Sequence, residues 1–482
     1  MTPTVLKRYL KFFIPLVFVL GFVVRLYKID NPIADWHSWR QADTSAVTRN
    51  FFKSGVNLLL PKYDDLSDVS GKGLLNPNGY RFVEFPLFNL LHYLLAKAFP
   101  AQTLEFSGRM TSVLASLLSA WVIYKLTKRH TDQSTGLLAA GFFLFLPYNI
   151  YFSRVILPDP LMVTLYLLCL NFFDLWTKNQ NLKLGVLTCI FGGLAVLVKP
   201  VAVFFLLPIA WYFLRKSGLK ILKNRWFWIF NLSFAIPYIF WRAWETRHPE
   251  GIPAGIWLLN GDHIRFKGAF FRWIFGERLA KMILGGWGTI AFAAGLLESG
   301  FFWPWAAAAG LYLFTFATGN VRHDYYQIPI LPIVSILLGI GTSVLWKSAR
   351  TSLKVYVRRG LLVVSLAFAL AFSWYDIRGN YQVNHWEIVH AGQRVDEITP
   401  KDAVVVAPYN GDTAFLYQTN RRGFAYLPFP IKDLIDRFNA TYFVSVNYDD
   451  QTRAVMAKYT VIEEKPEYVI VKLVEPLQPK TK

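Results

Sequence analysis

Cysteine, charge and metal-ligand spacing are all scarce in this sequence. Its 482 residues include two Cys, Cys169 and Cys189, both inside apolar runs. They offer neither a disulfide framework nor a zinc site. The His residues lack metal-ligand spacing, so zinc is not expected from them either. No nucleotide fingerprint occurs in residues 377–482; Gly411-Asp412-Thr413 is too slight to mean phosphate binding. Charged residues make up only 17%, against about 25% in a soluble globular chain. No secretory cleavage pattern follows the first apolar run, which reads as a retained anchor.

What is abundant is apolar and aromatic. The chain is 54% hydrophobic with 17 Trp, and its mean hydropathy is +0.32. That composition predicts an integral membrane protein with aromatic belts. The net charge of +20 would point to nucleic acid in a soluble chain. Here its placement instead sets a topology, and no nucleic-acid partner is expected. Spans are expected at Phe12–Leu26, Phe106–Leu126, Gly136–Phe152, Leu161–Trp176, Leu184–Val198, Val201–Leu214, Trp226–Trp241, Met282–Leu297, Phe301–Thr318, Ile328–Trp346 and Leu361–Trp374, about eleven in all. Lys7, Arg8 and Lys11 before the first run put the N-terminus in the cytoplasm. Lys125, Lys128, Arg129, Lys178, Lys183, Arg215–Arg225 and Lys347–Arg359 fall on the same side, and the odd count leaves the C-terminus outside. Pro86–Phe99 is too short to span and reads as an interfacial or re-entrant helix.

The expected fold class is thus an α-helical polytopic membrane protein with a small extracytoplasmic C-terminal α/β domain. Residues 1–376 form the membrane domain, with external loops at 30–105 and 242–281; residues 377–482 form the other. In the latter, Asp402–Ala407, Thr441–Val446 and Tyr468–Leu473 read as strands, and Ile431–Phe438 and Gln451–Lys458 as helices. The alternation predicts a mixed or parallel sheet.

Polar residues from distant parts of the chain collect at the outer ends of these spans. Ser38-x-x-Gln41 reads as a capping box opening a helix over about Trp39–Lys53. On it Arg40 and Asp43 lie one turn apart, just after His37. Glu84 starts the interfacial helix, where it could equally be an acid at the positive end of the helix dipole. Arg154 and Asp159 sit at the outer end of a span, where Asp159 could equally cap a turn. Lys199 lies between two apolar runs, placed to snorkel or to meet a lipid-linked phosphate. Arg265 lies in the basic, aromatic-rich segment Arg242–Lys281. His323, Tyr325 and Tyr326 precede a late span and could equally form an aromatic belt. A divalent cation, Mg or Mn, held by Asp43 and Asp159 stays open as a cofactor.

The order of these features resembles the GT-C glycosyltransferases, in particular the protein O-mannosyltransferase-like group that includes the lipid A aminoarabinose transferase. The resemblance covers roughly residues 12–346. It rests on Glu84-Phe85-Pro86, Arg109, Ser153-Arg154, Leu157-Pro158-Asp159-Pro160 and Lys199-Pro200. Trp39-Arg40-Gln41-Ala42-Asp43 and His323-x-Tyr-Tyr-Gln-x-Pro329 resemble a bacterial subgroup most closely. The resemblance implies a polyprenyl-phosphate-linked sugar donor at the outer membrane face, with a lipid, glycan or protein hydroxyl as acceptor. It implies catalytic roles for Asp43 as base and for Glu84 and Asp159 as positioning groups. Lys199 and Arg265 become phosphate partners; His37, Arg40, Arg154, His323, Tyr325 and Tyr326 become substrate-binding candidates. There is one departure. Many relatives carry an Asp-Glu pair at the start of the first-loop helix; if Arg49 aligns with their later arginine, Arg40 and Gln41 fall on that pair, and Asp43 would substitute from the next turn. Two other classes stay open: a transporter or flippase for an anionic polyprenyl-linked lipid, and a degenerate scaffold in envelope glycan assembly.

Overall fold

The computed structural model describes residues 3–347 and 353–476; Arg350, one of the basic residues of the expected topology, lies outside them. The chain divides into two compact units, Met1–Ile29 with Arg109–Trp241 and Gly255–Asn380, and Asp30–Gly108 with Arg242–Ala254 and Tyr381–Lys482. The division differs from the expected boundary at residue 376. The first external segment groups with the C-terminal domain, and the second is split at Ala254.

The first unit is helical. Five helices among the described residues are long and apolar enough to cross a membrane: Leu104–His130, Asp159–Asn179, Ala202–Lys223, Asp324–Lys347 and Val355–Ile398. Phe13–Leu26, Gln133–Phe145 and Leu182–Val198 are shorter apolar helices. About eleven spans were expected, and several of those runs are interrupted by local chemistry. The run at Gly136–Phe152 breaks where Pro147 follows Leu146, giving helices Gln133–Phe145 and Pro147–Phe152. The run beginning at Met282 is preceded by a π-helix, Arg272–Ile283, and turns regular only at Thr289–Leu297. Helix ends follow ordinary capping. Asp132 accepts the Thr135 N–H, and Asn181 accepts the Lys183 N–H. Helices Thr289–Leu297 and Leu331–Lys347 touch backbone to backbone: a Cβ at Gly341 would lie 1.8 Å from the Ala291 carbonyl oxygen. Only glycine allows that approach, the usual device for pairing helices in lipid.

The second unit holds a five-stranded sheet in the order β2-β1-β3-β5-β4. Its strands are β1 (Val404–Val406), β2 (Arg422–Phe424), β3 (Ala440–Ser445), β4 (Tyr459–Lys465) and β5 (Tyr468–Pro476). β2, β1 and β3 run parallel, while β5 pairs antiparallel with β3 and β4. The sheet is mixed, and β2 and β4 join the three expected strands. The grouping with the first external segment has a direct cause. Asp65 bridges Gly423 in parallel, with Leu66 N donating to Gly423 O at 2.8 Å and Gly423 N to Asp64 O at 2.9 Å. That segment covers the β2 edge, which would otherwise present unpaired backbone. Leu66 also enters the apolar core with Val406, Phe424, Phe443 and Val469.

Candidate active site

In the mixed unit, helix Ser38–Ser54 is polar yet buried, including Gln41, Asp43, Ser45 and Thr48. Burial of such a face requires partners for its polar groups. The expected capping box does not form. His37, at φ 55°, precedes the helix, and no side chain caps it. The Gln41 amide instead donates to Asp35 Oδ1 at 2.7 Å and to the Trp36 carbonyl. The left-handed turn at His37 places Ser38 inside the first turn, where its hydroxyl cannot serve as N-cap.

Asp43 is 3% exposed. Its Oδ2 accepts from Arg81 Nη2 at 2.5 Å and its Oδ1 from Thr413 Oγ1 at 2.7 Å. Arg81 lies over the Tyr63 ring, 4.9 Å from its centroid. Arg40 is not the ion-pair partner of Asp43: its guanidinium meets the Glu84 carboxylate, which joins two of the substrate-site candidates. Thr413 begins helix Thr413–Gln418, N-capped by Asp412, which accepts from Ala414 N at 2.8 Å. Burial, then the nearby Asp43 charge, pushes the Asp412 carboxyl up to about 6, against the opposing pull of His385 and His37. The Arg49 guanidinium pairs with Asp64 and lies 4.0 Å from the centroid of the Tyr417 ring. Tyr417 Oη donates to Glu105 Oε1 at 2.7 Å and lies within hydrogen-bond distance of Ser45 Oγ, at 3.2 Å. These bonds fasten the Ser38 helix to the C-terminal helix Thr413–Gln418.

In the helical unit, Asp159 opens helix Asp159–Asn179 with Pro160 in its first turn. Lys199 Nζ donates to both Asp159 oxygens, at 2.8 Å each. The same ammonium sits 5.7 Å from the Tyr326 ring centroid, and His323 stacks on Tyr326 and contacts Tyr325. The structure therefore brings Asp159, Lys199, His323, Tyr325 and Tyr326 together. Arg154 is fully buried and donates to the Lys28 carbonyl at 2.7 Å. Arg265 donates through Nη2 to the carbonyls of Thr315, at 2.7 Å, and Leu259, at 3.1 Å. It thereby fastens its own loop to the end of helix Trp303–Thr315.

Three participants at Asp43 were not found in the sequence. Arg81 stands in an irregular loop with no periodic signal. Thr413 and Asp412 belong to a slight motif whose legible content was an N-cap, Asp followed by an apolar run; its contact with a helix 370 residues earlier is a tertiary fact. Both Asp43 oxygens and both Asp159 oxygens accept from protein donors. Among the described residues no group of three or more His, Cys, Asp or Glu side chains is placed to hold a metal.

Residues 85–244 match the model of the dolichyl-phosphate-mannose-protein mannosyltransferase family, a stretch containing Arg154, Asp159 and Lys199. The fold is that of the GT-C glycosyltransferases, seen across nearly the whole chain. Similar solved structures include ArnT from Cupriavidus metallidurans bound to undecaprenyl phosphate, at TM-score 0.67 and 13% identity, covering 95% of this chain and 98% of ArnT. The apo oligosaccharyltransferase of Archaeoglobus fulgidus aligns at TM-score 0.58 and 12% identity, over 90% of this chain and 70% of that one. Mycobacterial arabinofuranosyltransferase AftD aligns at 0.51 and 13%, over 95% and 41%. No curated protein sequence matches the chain.

Proposed function

We propose that this protein is an integral membrane glycosyltransferase. It moves a sugar from a polyprenyl-phosphate-linked donor to a hydroxyl of a lipid, glycan or protein on the outer face of the membrane. The observation that carries the reading is the agreement of fold over 95% of the chain with ArnT, whose structure contains undecaprenyl phosphate. The family match over the stretch holding Asp159 and Lys199 supports it.

In this reading the acceptor hydroxyl oxygen attacks the anomeric carbon and forms the new C–O bond. The bond from that carbon to the phosphate oxygen breaks, and its electron pair leaves with polyprenyl phosphate. The acceptor proton passes to Asp43. Arg81 and Thr413 hold the carboxylate in one orientation while its oxygens keep further lone pairs for that proton. Negative charge grows on the departing phosphate, and Lys199, poised by Asp159, meets it together with Arg265. Glu84 fixes Arg40 for the substrate side of the helix, with His37 beside it. Arg154 keeps the chain before Asp159 in place, and His323, Tyr325 and Tyr326 shape the wall beside Lys199. In this reading the N-terminus lies in the cytoplasm and the sheet domain outside, an orientation that the distribution of Lys and Arg supports.

The test is to incubate the purified protein in lipid vesicles with a panel of polyprenyl-phosphate sugars and a membrane extract as acceptor source. Mass spectrometry then follows free polyprenyl phosphate. Stoichiometric release of polyprenyl phosphate with glycosylated product supports the reading. Movement of intact donor between leaflets without cleavage would replace it with the flippase.

A further inference from the structure

The Asp159–Lys199 pair occupies one end of helix Asp159–Asn179. At the other end, about 28 Å along the helix axis, lies a cavity of about 820 Å³ lined by none of the candidate transfer residues. Aromatic and apolar side chains line it, among them Phe173, Trp211, Phe302, Trp303 and Trp305. Trp211 and Trp303 are about half exposed, the placement of indoles at the level of lipid headgroups.

The polar rim is strongly one-signed. Asp174 is the acid of the lining, and its charge is already met: Arg129 Nε donates to Oδ2 at 2.6 Å and His130 Nε2 lies 2.8 Å from Oδ1. His130 is held flat against Phe301, the ring centroids 3.5 Å apart. Lys178 and Arg215 also line the cavity and are exposed. Among the described residues neither of these two side chains has a hydrogen-bond or ion-pair partner. Lys216, Lys220, Lys223 and Arg225 follow within ten residues. An apolar slot with an indole-lined mouth and unneutralised cations matches one chemistry: a hydrocarbon chain carrying a negatively charged phosphate.

We propose that this cavity binds an anionic glycerophospholipid of the leaflet opposite the donor site. Its acyl chain fills the aromatic slot and its phosphate meets Lys178 and Arg215. The inference rests on the helical unit lying in a bilayer and not on the transfer reaction.

Native mass spectrometry of the full chain in detergent tests it, with dioleoylphosphatidylglycerol or dioleoylphosphatidylcholine added and no sugar donor present. Wild type is expected to retain the anionic lipid in clear preference to the zwitterionic one. The double variant Lys178→Glu, Arg215→Glu lowers that retention by about tenfold or more. Ala307→Trp, at an exposed lining position, fills the slot and lowers retention of both lipids. An unchanged thermal transition establishes that each variant is folded. If the tryptophan variant does not fold, the charge-reversed variant decides alone. Equal retention of the two lipids by wild type overturns the proposal, as does retention untouched by the charge reversal. One-for-one displacement of phosphatidylglycerol by undecaprenyl phosphate also overturns it, because the slot then holds the donor's tail. Because no transfer is measured, failure of the glycosyltransferase reading leaves this result standing.

Discussion

Asp43 is oriented by two side chains that come from opposite ends of the second unit, Arg81 and Thr413. Each makes a testable contribution of its own. Thr413→Val keeps the shape and removes the donor to Oδ1. It is expected to slow transfer about tenfold or more through kcat with KM for the donor little changed, since a hydrogen bond to a charged carboxylate contributes about 1.5 kcal/mol or more. Steady-state kinetics on vesicle-embedded protein measures that split. Asp412 carries a pH signature. Its folded carboxyl titrates at about 6 against the ordinary value of 3.8, so the folded state binds the proton more tightly than the unfolded one. The sign follows: stability from this group is fully present below about pH 4 and is lost as pH rises through about 6. Asp412→Asn keeps the N-cap and removes the charge. It is expected to raise the thermal transition at pH 8, by up to about 3 kcal/mol of stability, and to leave it unchanged at pH 4. Differential scanning fluorimetry across that range checks it.

At the scale of elements, helix pairing in the membrane unit depends on close approach. Gly341→Ala puts a methyl 1.8 Å from the Ala291 carbonyl oxygen. It is expected to cost about 1–3 kcal/mol, seen as a lowered thermal transition and a smaller monodisperse yield. The elements also show what sequence periodicity can carry. Long apolar runs announced the membrane helices, and short runs rich in β-branched and aromatic residues announced β1, β3 and β5. The twelve-residue helix Leu87–Ala98 was legible from its length alone, too short to span. β2 and β4 were not, because Arg422–Phe424 is a three-residue strand and Tyr459–Lys465 is mostly exposed and ends in the charged run Glu463-Glu464-Lys465. The capping box failed for a different reason. Its spacing was correct, but the backbone at His37 turns left-handed, and Gln41 bonds to Asp35 and Trp36.

For the whole molecule, the division into units could not be read along the chain. Asp30–Gly108 and Tyr381–Lys482 are joined by the Gly423 bridge, the Leu66 core contact and the Tyr417 hydrogen bonds, and none of these pairings leaves a local sequence signal. The same holds for the candidate site. Asp43, Glu84, Asp159 and Lys199 stood out by residue type and topological place, whereas Arg81 and Thr413, the partners of Asp43, depend on long-range folding. A chain ending at residue 380 is therefore expected to lose more than an appended domain. Segment 30–108 loses its sheet and becomes open to proteolysis, while the helical unit stays protected. Limited trypsin digestion of the two proteins in vesicles shows the difference.

The central claim is that a sugar leaves polyprenyl phosphate with Asp43 accepting the acceptor's proton. Single-turnover transfer from a polyprenyl-phosphate sugar, compared between wild type and a folded Asp43→Asn, tests it most directly. The account predicts release of polyprenyl phosphate with product by wild type and a loss of about a hundredfold or more in the variant. Transfer at the wild-type rate by Asp43→Asn would contradict it.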